Sequence, residues 1–143
     1  MQRISRSIAL GALAITLSAG AFADSSKPLF ERLGGMNALN AVVNELWTVV
    51  SSDARINARF AKTRPDAFGG QLRDFLCQAS GGPCKYQGKD MRAAHTGMKL
   101  SDADFNALAE DTVKVLDKFK VPAQEKNEVV ALLSSLKGDV VGH

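Results

Sequence analysis

Histidine and cysteine are the residue types in this chain that are best suited to bind a metal or a cofactor. The sequence has two histidines, and His143, the last residue, is expected to fray. The other, His95, lies in the segment MRAAHTGM, with Met91 one helical turn before it. Its small and thioether neighbours would let a flat apolar group approach the imidazole. A histidine beside alanines is nevertheless more commonly a packed or a surface residue than a ligand.

A neutral imidazole is the usual protein ligand of a b-type haem iron, and His95 could supply it. The sequence around it offers no second histidine, cysteine or carboxylate pair at the spacing of a zinc site. The sequence also contains no nucleophile-elbow motif and no glycine-rich phosphate loop. The net charge of +3 is small and unclustered, which excludes a strong nucleic-acid-binding surface.

The two cysteines, Cys77 and Cys84, lie on either side of a Gly-Gly-Pro turn. In an oxidising compartment, cysteines placed across such a turn commonly form a disulfide, and we expect this pairing. Two free thiols are the alternative. Neither cysteine begins a C-x-x-C-H sequence, so covalent attachment of a c-type haem is excluded.

Residues 1–23 have the pattern of a secretory signal peptide. Arg3 and Arg6 precede a short apolar stretch, Ile8 to Leu17, and Ala21-Phe22-Ala23 supplies a small-x-small cleavage site. The apolar stretch is too short to span a bilayer comfortably, although an uncleaved membrane anchor is the alternative. We therefore expect cleavage near Ala23, export to the periplasm or the medium, and one folded domain over residues 24–143.

The elements that must position these residues are predicted to be helices. The chain is 45% hydrophobic and 23% charged, which is ordinary for a soluble globular protein. Apolar residues recur every three or four positions over Asn37–Val50, and Pro65 can open a second helix that ends near Ala79. A short segment over Asp90–Thr96 and a long helix that begins at Ser101 follow, and Val121-Pro122 separates the long helix from a last one. Because no segment alternates as a strand does, we predict an all-α single domain.

Several short motifs follow one another in a characteristic order between Leu29 and about Val141. They are LFERLGG at 29–35, Asp53, Phe60, Q-x-x-x-F-L at 71–76, GGP at 81–83, Y-x-G at 86–88, M-x-x-x-H at 91–95, and Val121-Pro122. In this set the chain resembles the group I truncated haemoglobins, the short bacterial-type globins. The resemblance implies a two-over-two helical sandwich around haem b, with glycine hinges at Gly34-Gly35 and Gly81-Gly82.

The resemblance also assigns roles to individual residues. His95 matches the proximal residue that binds the haem iron, and Gln71 matches a distal position whose amide could donate a hydrogen bond to bound dioxygen. Such a bond would slow dioxygen release by roughly tenfold to a hundredfold. The other matching positions are Phe60 on the haem face, Phe75 and Met91 on the haem lining, Leu108 in the distal pocket, and Tyr86, which with Lys89 or Arg92 could reach the haem carboxylates. The alternatives are plain core packing for Phe60 and surface positions for Gln71 and Tyr86.

One position departs from the family pattern. Where the family has a Phe-Tyr pair in the distal pocket, this chain has Leu46-Trp47. An indole can donate a hydrogen bond but cannot accept one, and it is larger than a phenol. We therefore expect Trp47 to tighten the distal pocket and to add a donor beside Gln71, with ordinary core packing as the alternative. Ala67 matches the distal histidine position, so ligation by two histidines is not expected.

The resemblance implies an exported haem protein that reversibly binds dioxygen, carbon monoxide or nitric oxide, with oxygen binding and transport as the favoured role. Nitric oxide dioxygenase and peroxidase-like activities use the same kind of site and are alternatives, so whether the protein is an enzyme stays open. Turnover of nitric oxide would need an electron donor, which the sequence does not identify. A haem-free helical interaction protein is a further alternative. We expect a monomer with a gas ligand as its partner, without nucleic acid and without stable membrane insertion.

Overall fold

The computed structural model describes residues 24–143, and the predicted signal peptide lies outside the described residues. This part of the chain forms six α-helices: α1 (Leu29–Arg32), α2 (Gly35–Ser52), α3 (Pro65–Ala79), α4 (Met91–His95), α5 (Asp102–Lys118) and α6 (Ala123–Val140). A 3-10 helix, Asn57–Phe60, connects α2 to α3. Residues 24–143 contain no strand, which confirms the predicted all-α class. Within this range, no helix has the length and hydrophobicity needed to cross a membrane.

The helix ends follow from local sequence signals. Pro65 occupies the first turn of α3, as predicted, since its fixed φ suits that position. At the predicted start of α5, Ser101 and Asp104 form a capping box, in which each side chain accepts a hydrogen bond from the other residue's backbone N–H. The helix predicted over Asn37–Val50 is two residues longer at each end. It begins early because Gly34, with a φ of 103°, adopts a left-handed conformation that suits glycine and acts as the N-cap.

Helix α2 lies at the centre of the fold, where it packs against both α3 and α5. Helix α6 packs against α5 and α4. The four long helices therefore form two packed pairs, α2 with α3 and α5 with α6. The buried side chains of α2 are Leu39, Val43, Leu46 and Val50, which recur every three or four residues along one face. Burying one such side chain stabilises the fold by about 1.5–3 kcal/mol relative to leaving it exposed.

A buried ion pair fastens α1 to α6. The Arg32 guanidinium donates a hydrogen bond of 2.7 Å to the Glu125 carboxylate, whose side chain is only 1% exposed. The second arm of Arg32 bonds Glu128 and holds the pKa of that carboxyl below its ordinary value. This pair was not predicted from the sequence, because its partners lie far apart in the chain and both types usually occur on the surface.

The structure contains the expected disulfide between Cys77 and Cys84, with a Cα–Cα distance of 5.7 Å. Cys77 is fully buried on α3, and Cys84 belongs to the loop that joins α3 to α4. The N–H of Phe30 donates to the carbonyl of Ser80 at the start of the same loop. The disulfide therefore joins this loop to α3. The loop continues to α4, the helix that carries His95.

Candidate functional site

A cavity of about 610 Å³ lies between the α2–α3 pair, α4 and the α5–α6 pair. This volume is within the range of small-molecule and cofactor pockets, about 300–1,000 Å³. Most of the side chains around it are apolar. Seven of the eight residues predicted to bind the cofactor line it: Phe60, Gln71, Phe75, Tyr86, Met91, His95 and Leu108. The fold therefore gathers residues of the 3-10 helix, α3, α4, α5 and the loop after α3 around one space.

His95 ends α4, a helix of five residues whose first turn is capped by Asp90. The Asp90 carboxylate accepts a hydrogen bond of 2.7 Å from the N–H of Ala93. His95 Nδ1 lies 2.7 Å from the carbonyl oxygen of Met91. Because a carbonyl oxygen can only accept, Nδ1 must carry the hydrogen. In the neutral imidazole, Nε2 then keeps its lone pair free, which is the form that binds a metal.

Three polar side chains of the cavity lining use their hydrogen atoms on nearby backbone carbonyls. The Ser80 hydroxyl donates to the carbonyl of Leu76 at 2.6 Å, and the Thr112 hydroxyl donates to that of Leu108 at 2.8 Å. The Tyr86 hydroxyl donates to the carbonyl of Lys89 at 2.8 Å. These three residues therefore present few free donors to a molecule in the cavity.

Arg59 and Asp104 form an ion pair on the cavity lining, with 2.8 Å between Nη2 and Oδ2. The Asp104 carboxylate also accepts a hydrogen bond from the backbone N–H of Ser101. The Ser101 N–H, followed by the Arg59 guanidinium, holds the pKa of Asp104 below its ordinary value. This pair joins the 3-10 helix to the first turn of α5, and the opposite charges of its two side chains neutralise each other. Its place on the lining was not predicted, because it depends on two segments far apart in sequence.

Tyr86 and Gln71 meet at the edge of the cavity. The Tyr86 ring packs edge-on against Phe75, with 5.4 Å between the ring centroids. Gly88 lies directly under this arrangement, since a Cβ atom there would collide with the Tyr86 hydroxyl and with Gln71 Oε1. Gln71 itself is exposed to solvent although it lines the cavity. The predicted distal amide therefore lies at the cavity mouth.

The two basic residues predicted to accompany Tyr86 are both exposed. The Arg92 guanidinium forms an ion pair of 3.1 Å with Asp139 on α6. Both side chains of that pair are more than half exposed, so the contact is weakly stabilising and Arg92 keeps access to solvent. Lys89 is exposed beside the mouth and contributes its backbone carbonyl to Tyr86.

Trp47 does not belong to the cavity lining, which differs from the predicted pocket position. Its ring packs against Phe68 at 5.3 Å and against Phe60 at 6.1 Å, measured between centroids. The neighbouring residue Leu46 lines the cavity instead. Consecutive residues on α2 point about 100° apart, so that Leu46 faces the cavity while Trp47 is directed toward Phe60 and Phe68.

Phe68 and Leu72 line the cavity from α3, one turn apart. Both belong to an apolar stripe at helical spacing, but such a stripe is equally typical of ordinary core packing. No local signal in the sequence separates a side chain that faces a cavity from one that faces another helix.

Comparison with known proteins defines the class. A family model described as bacterial-like globin matches residues 28–141. The match covers most of the sequence, and the chain therefore belongs to the bacterial-like globin family.

The individual relatives agree with one another. The group 1 truncated hemoglobin of Tetrahymena pyriformis is 34% identical over 114 residues, which are 80% of this chain and 94% of that protein. The crystal structure of truncated hemoglobin from the same organism in its Fe(III) form has a TM-score of 0.79 at 33% identity, covering 82% of this chain and 100% of that one. The 2/2 hemoglobin of Synechococcus has a TM-score of 0.76 at 32% identity, covering 80% and 98%. These similarities confirm the resemblance to group 1 truncated haemoglobins and the two-over-two helical fold.

Membership of the globin family implies haem binding, and the residues of the cavity fit a haem. His95 offers one imidazole with Nε2 free, and the apolar side chains around it would cover the faces of a flat ring. The hydrogen bond from Nδ1 to Met91 would hold the imidazole in one orientation. When bound, a haem would supply an iron that can bind a diatomic gas.

Proposed function

We propose that this protein is an exported haem b protein that reversibly binds a diatomic gas, dioxygen, carbon monoxide or nitric oxide, with His95 as the iron ligand. The observation that carries the proposal is the state of His95. Its Nδ1–H is used by the Met91 carbonyl, so that Nε2 is left as the basic nitrogen at an apolar cavity. Phe60, Phe75, Met91 and Leu108 would pack on the haem, and Tyr86 would lie at its edge.

Solved relatives support the cofactor. The Synechococcus 2/2 hemoglobin is described in the cyanomet state with covalently attached heme, and the Tetrahymena pyriformis protein in an Fe(III) form. In this chain, neither cysteine begins the sequence that attaches a c-type haem, and both are used in a disulfide. A haem held by His95 and by packing is therefore the arrangement that we propose.

Two features support export. Residues 1–23 have the charge, apolar stretch and cleavage site of a secretory signal. The Cys77–Cys84 disulfide is of the kind that persists in oxidising compartments. An exported globin would lack the nicotinamide-driven reductases of the cytoplasm, which favours gas binding or transport over catalytic turnover of nitric oxide. We propose a monomer that works without a stable membrane anchor.

Absorption spectroscopy tests the haem assignment. Purified protein over residues 24–143, reconstituted with haem, should have a Soret band that shifts when the iron is reduced and carbon monoxide is added. His95→Ala should lose haem on gel filtration, whereas His143→Ala is a matched control. The His143 imidazole bonds the carbonyl of Gly138 and lies outside the cavity lining. Equal haem retention by the two variants would contradict the assignment, and the absence of a Soret band would favour a haem-free interaction protein.

Cell fractionation tests the location. The full chain, expressed in a bacterium with two membranes, should be found in the periplasmic fraction with Asp24 as its first residue. Replacing Arg3 and Arg6 by glutamate should retain the precursor inside the cell, since the positive start is part of the signal. Retention of residues 1–23 in the periplasmic or membrane fraction would support an uncleaved anchor.

A further inference from the structure

The side of the cavity away from His95 is built by α2, α3 and the 3-10 helix. Helix α4, which carries His95, packs against α6, whereas α3 packs against α2. His95 and the side chains of α3 therefore belong to different walls of the same space. A gas ligand bound to an iron on the His95 side would face the wall formed by α3.

That wall is aromatic and apolar. The rings of Phe60 and Phe68 lie 5.5 Å apart in an edge-to-face arrangement, and Trp47 packs behind both of them. Leu72 extends the wall one turn further along α3, and Leu46 completes it from α2. We call Phe60, Phe68, Leu72 and Leu46 the apolar wall. None of these side chains has a hydrogen-bond donor, and the indole of Trp47 lies outside the lining.

The polar groups nearest to this wall are directed elsewhere. Gln71 is exposed, and its Oε1 lies against Gly88 and the Tyr86 hydroxyl at the mouth. The Tyr86 hydroxyl already donates to the carbonyl of Lys89. Gln71 follows Phe68 by three residues on α3 and lines the same cavity. Its amide oxygen is directed toward Gly88 and the Tyr86 hydroxyl, which lie in the loop after α3.

We propose that the apolar wall determines the ligand preference of the site, because it offers a bound ligand no fixed hydrogen-bond donor. The inference rests on the proposed function. Dioxygen becomes partly negative when ferrous haem binds it, and a donor beside it slows its release. Carbon monoxide and nitric oxide stay nearly neutral and gain little from a donor. The site therefore favours carbon monoxide and nitric oxide over dioxygen, relative to the site with a Gln71 donor that the family resemblance implies.

The infrared C–O stretch of the carbon monoxide complex reports directly on the surroundings of the ligand. A donor or a positive charge beside the ligand lowers this frequency. In haem-loaded protein, Phe68→Gln, which adds a donor to the apolar wall, should lower the C–O stretch and slow dioxygen dissociation by roughly tenfold to a hundredfold. Phe68→Leu changes the same position without a donor and is the matched control. It should leave the stretch near the original frequency, so that any effect of ring size is measured separately.

The Gln71→Leu variant provides the opposing test. Because Gln71 is exposed, its replacement should not disturb packing, and we expect the C–O stretch to keep its frequency. A higher stretch together with dioxygen release at least tenfold faster would identify Gln71 as the donor and overturn the inference. Equal dioxygen dissociation rates for Phe68→Gln and Phe68→Leu would also overturn it. If Phe68→Gln fails to fold, the C–O stretch and the dioxygen release rate of Gln71→Leu, compared with those of the original protein, still test the inference.

These outcomes are distinguishable from failure of the proposed function. Protein that takes up no haem, or whose haem does not depend on His95, contradicts the proposed function and this inference together. Protein with a normal Soret band and a carbon monoxide complex, in which the C–O stretch depends on Gln71, contradicts only the inference about the apolar wall.

Discussion

Reduction of the Cys77–Cys84 disulfide should destabilise the protein by an amount that can be worked out from the chain. The bond closes a loop of about eight residues, and the chain-entropy model gives a stabilisation of about 2.5 kcal/mol for a loop of this length. For a domain of this size, that loss corresponds to a decrease in Tm of roughly 10 °C. The loop contains the Gly-Gly-Pro turn and leads to Tyr86, so the loss is expected to loosen the cavity mouth as well.

Thermal unfolding followed by circular dichroism, with and without dithiothreitol, measures this difference on one preparation of haem-loaded protein. The double variant Cys77→Ala, Cys84→Ala is the control, because the reductant has no bond to cleave in it. Its Tm should resemble that of the reduced protein, apart from the loss of sulfur packing at the buried Cys77. An oxidised and a reduced protein with the same Tm, after thiol labelling has verified reduction, would refute the loop-entropy reasoning.

Three further substitutions test other parts of the structure. Gly88→Ala should speed haem transfer to an apo-globin acceptor, because the new Cβ displaces the ring of Tyr86. Gly138→Ala on α6 is the control: its new Cβ meets nothing within 4 Å, so the transfer rate should not change. Arg32→Met should lower the free energy of unfolding by about 3–5 kcal/mol in urea titrations, since it leaves the buried Glu125 carboxylate without its partner, and a loss below 1 kcal/mol would contradict this role. Asp104→Asn should cost about 1 kcal/mol at pH 7, and this difference should shrink as the pH falls below the ordinary carboxyl pKa of 3.8. The difference shrinks in acid because a carboxyl whose pKa is lowered by folding stabilises the protein only while it is charged. A difference in unfolding free energy between the two proteins that stays constant down to acid pH would contradict this reasoning.

Much of the fold was predictable because its signals are local. Pro65 opens α3, Ser101 and Asp104 cap α5, and Pro122 separates α5 from α6, as the sequence indicates. Each of these effects depends on the residue and its nearest neighbours along the chain. The helix predicted over Asn37–Val50 extends two residues further at each end, and at its start the structure uses Gly34, where the sequence predicts a break, as the N-cap.

The site was predictable to the extent that a family pattern names positions. His95, Phe60, Phe75 and Met91 all line the cavity, as expected from the resemblance. The placement of Trp47 behind Phe60 and Phe68, and of Gln71 at the mouth, could not be read in the same way. A family pattern assigns a position on a helix, but the direction of the side chain depends on its neighbours in space.

By itself, the sequence determined that this chain is helical, that its two cysteines can pair across a turn, and that His95 is the histidine suited to bind an iron. These properties follow from periodicity, turn residues and the chemistry of single side chains. The tertiary structure alone decided that Leu46 and Phe68, rather than Trp47, face the cavity, and that Arg32 is buried against Glu125. Those outcomes depend on how each helix is rotated about its axis relative to its neighbours. Packing between segments distant in sequence determines this rotation, and no local sequence pattern predicts it.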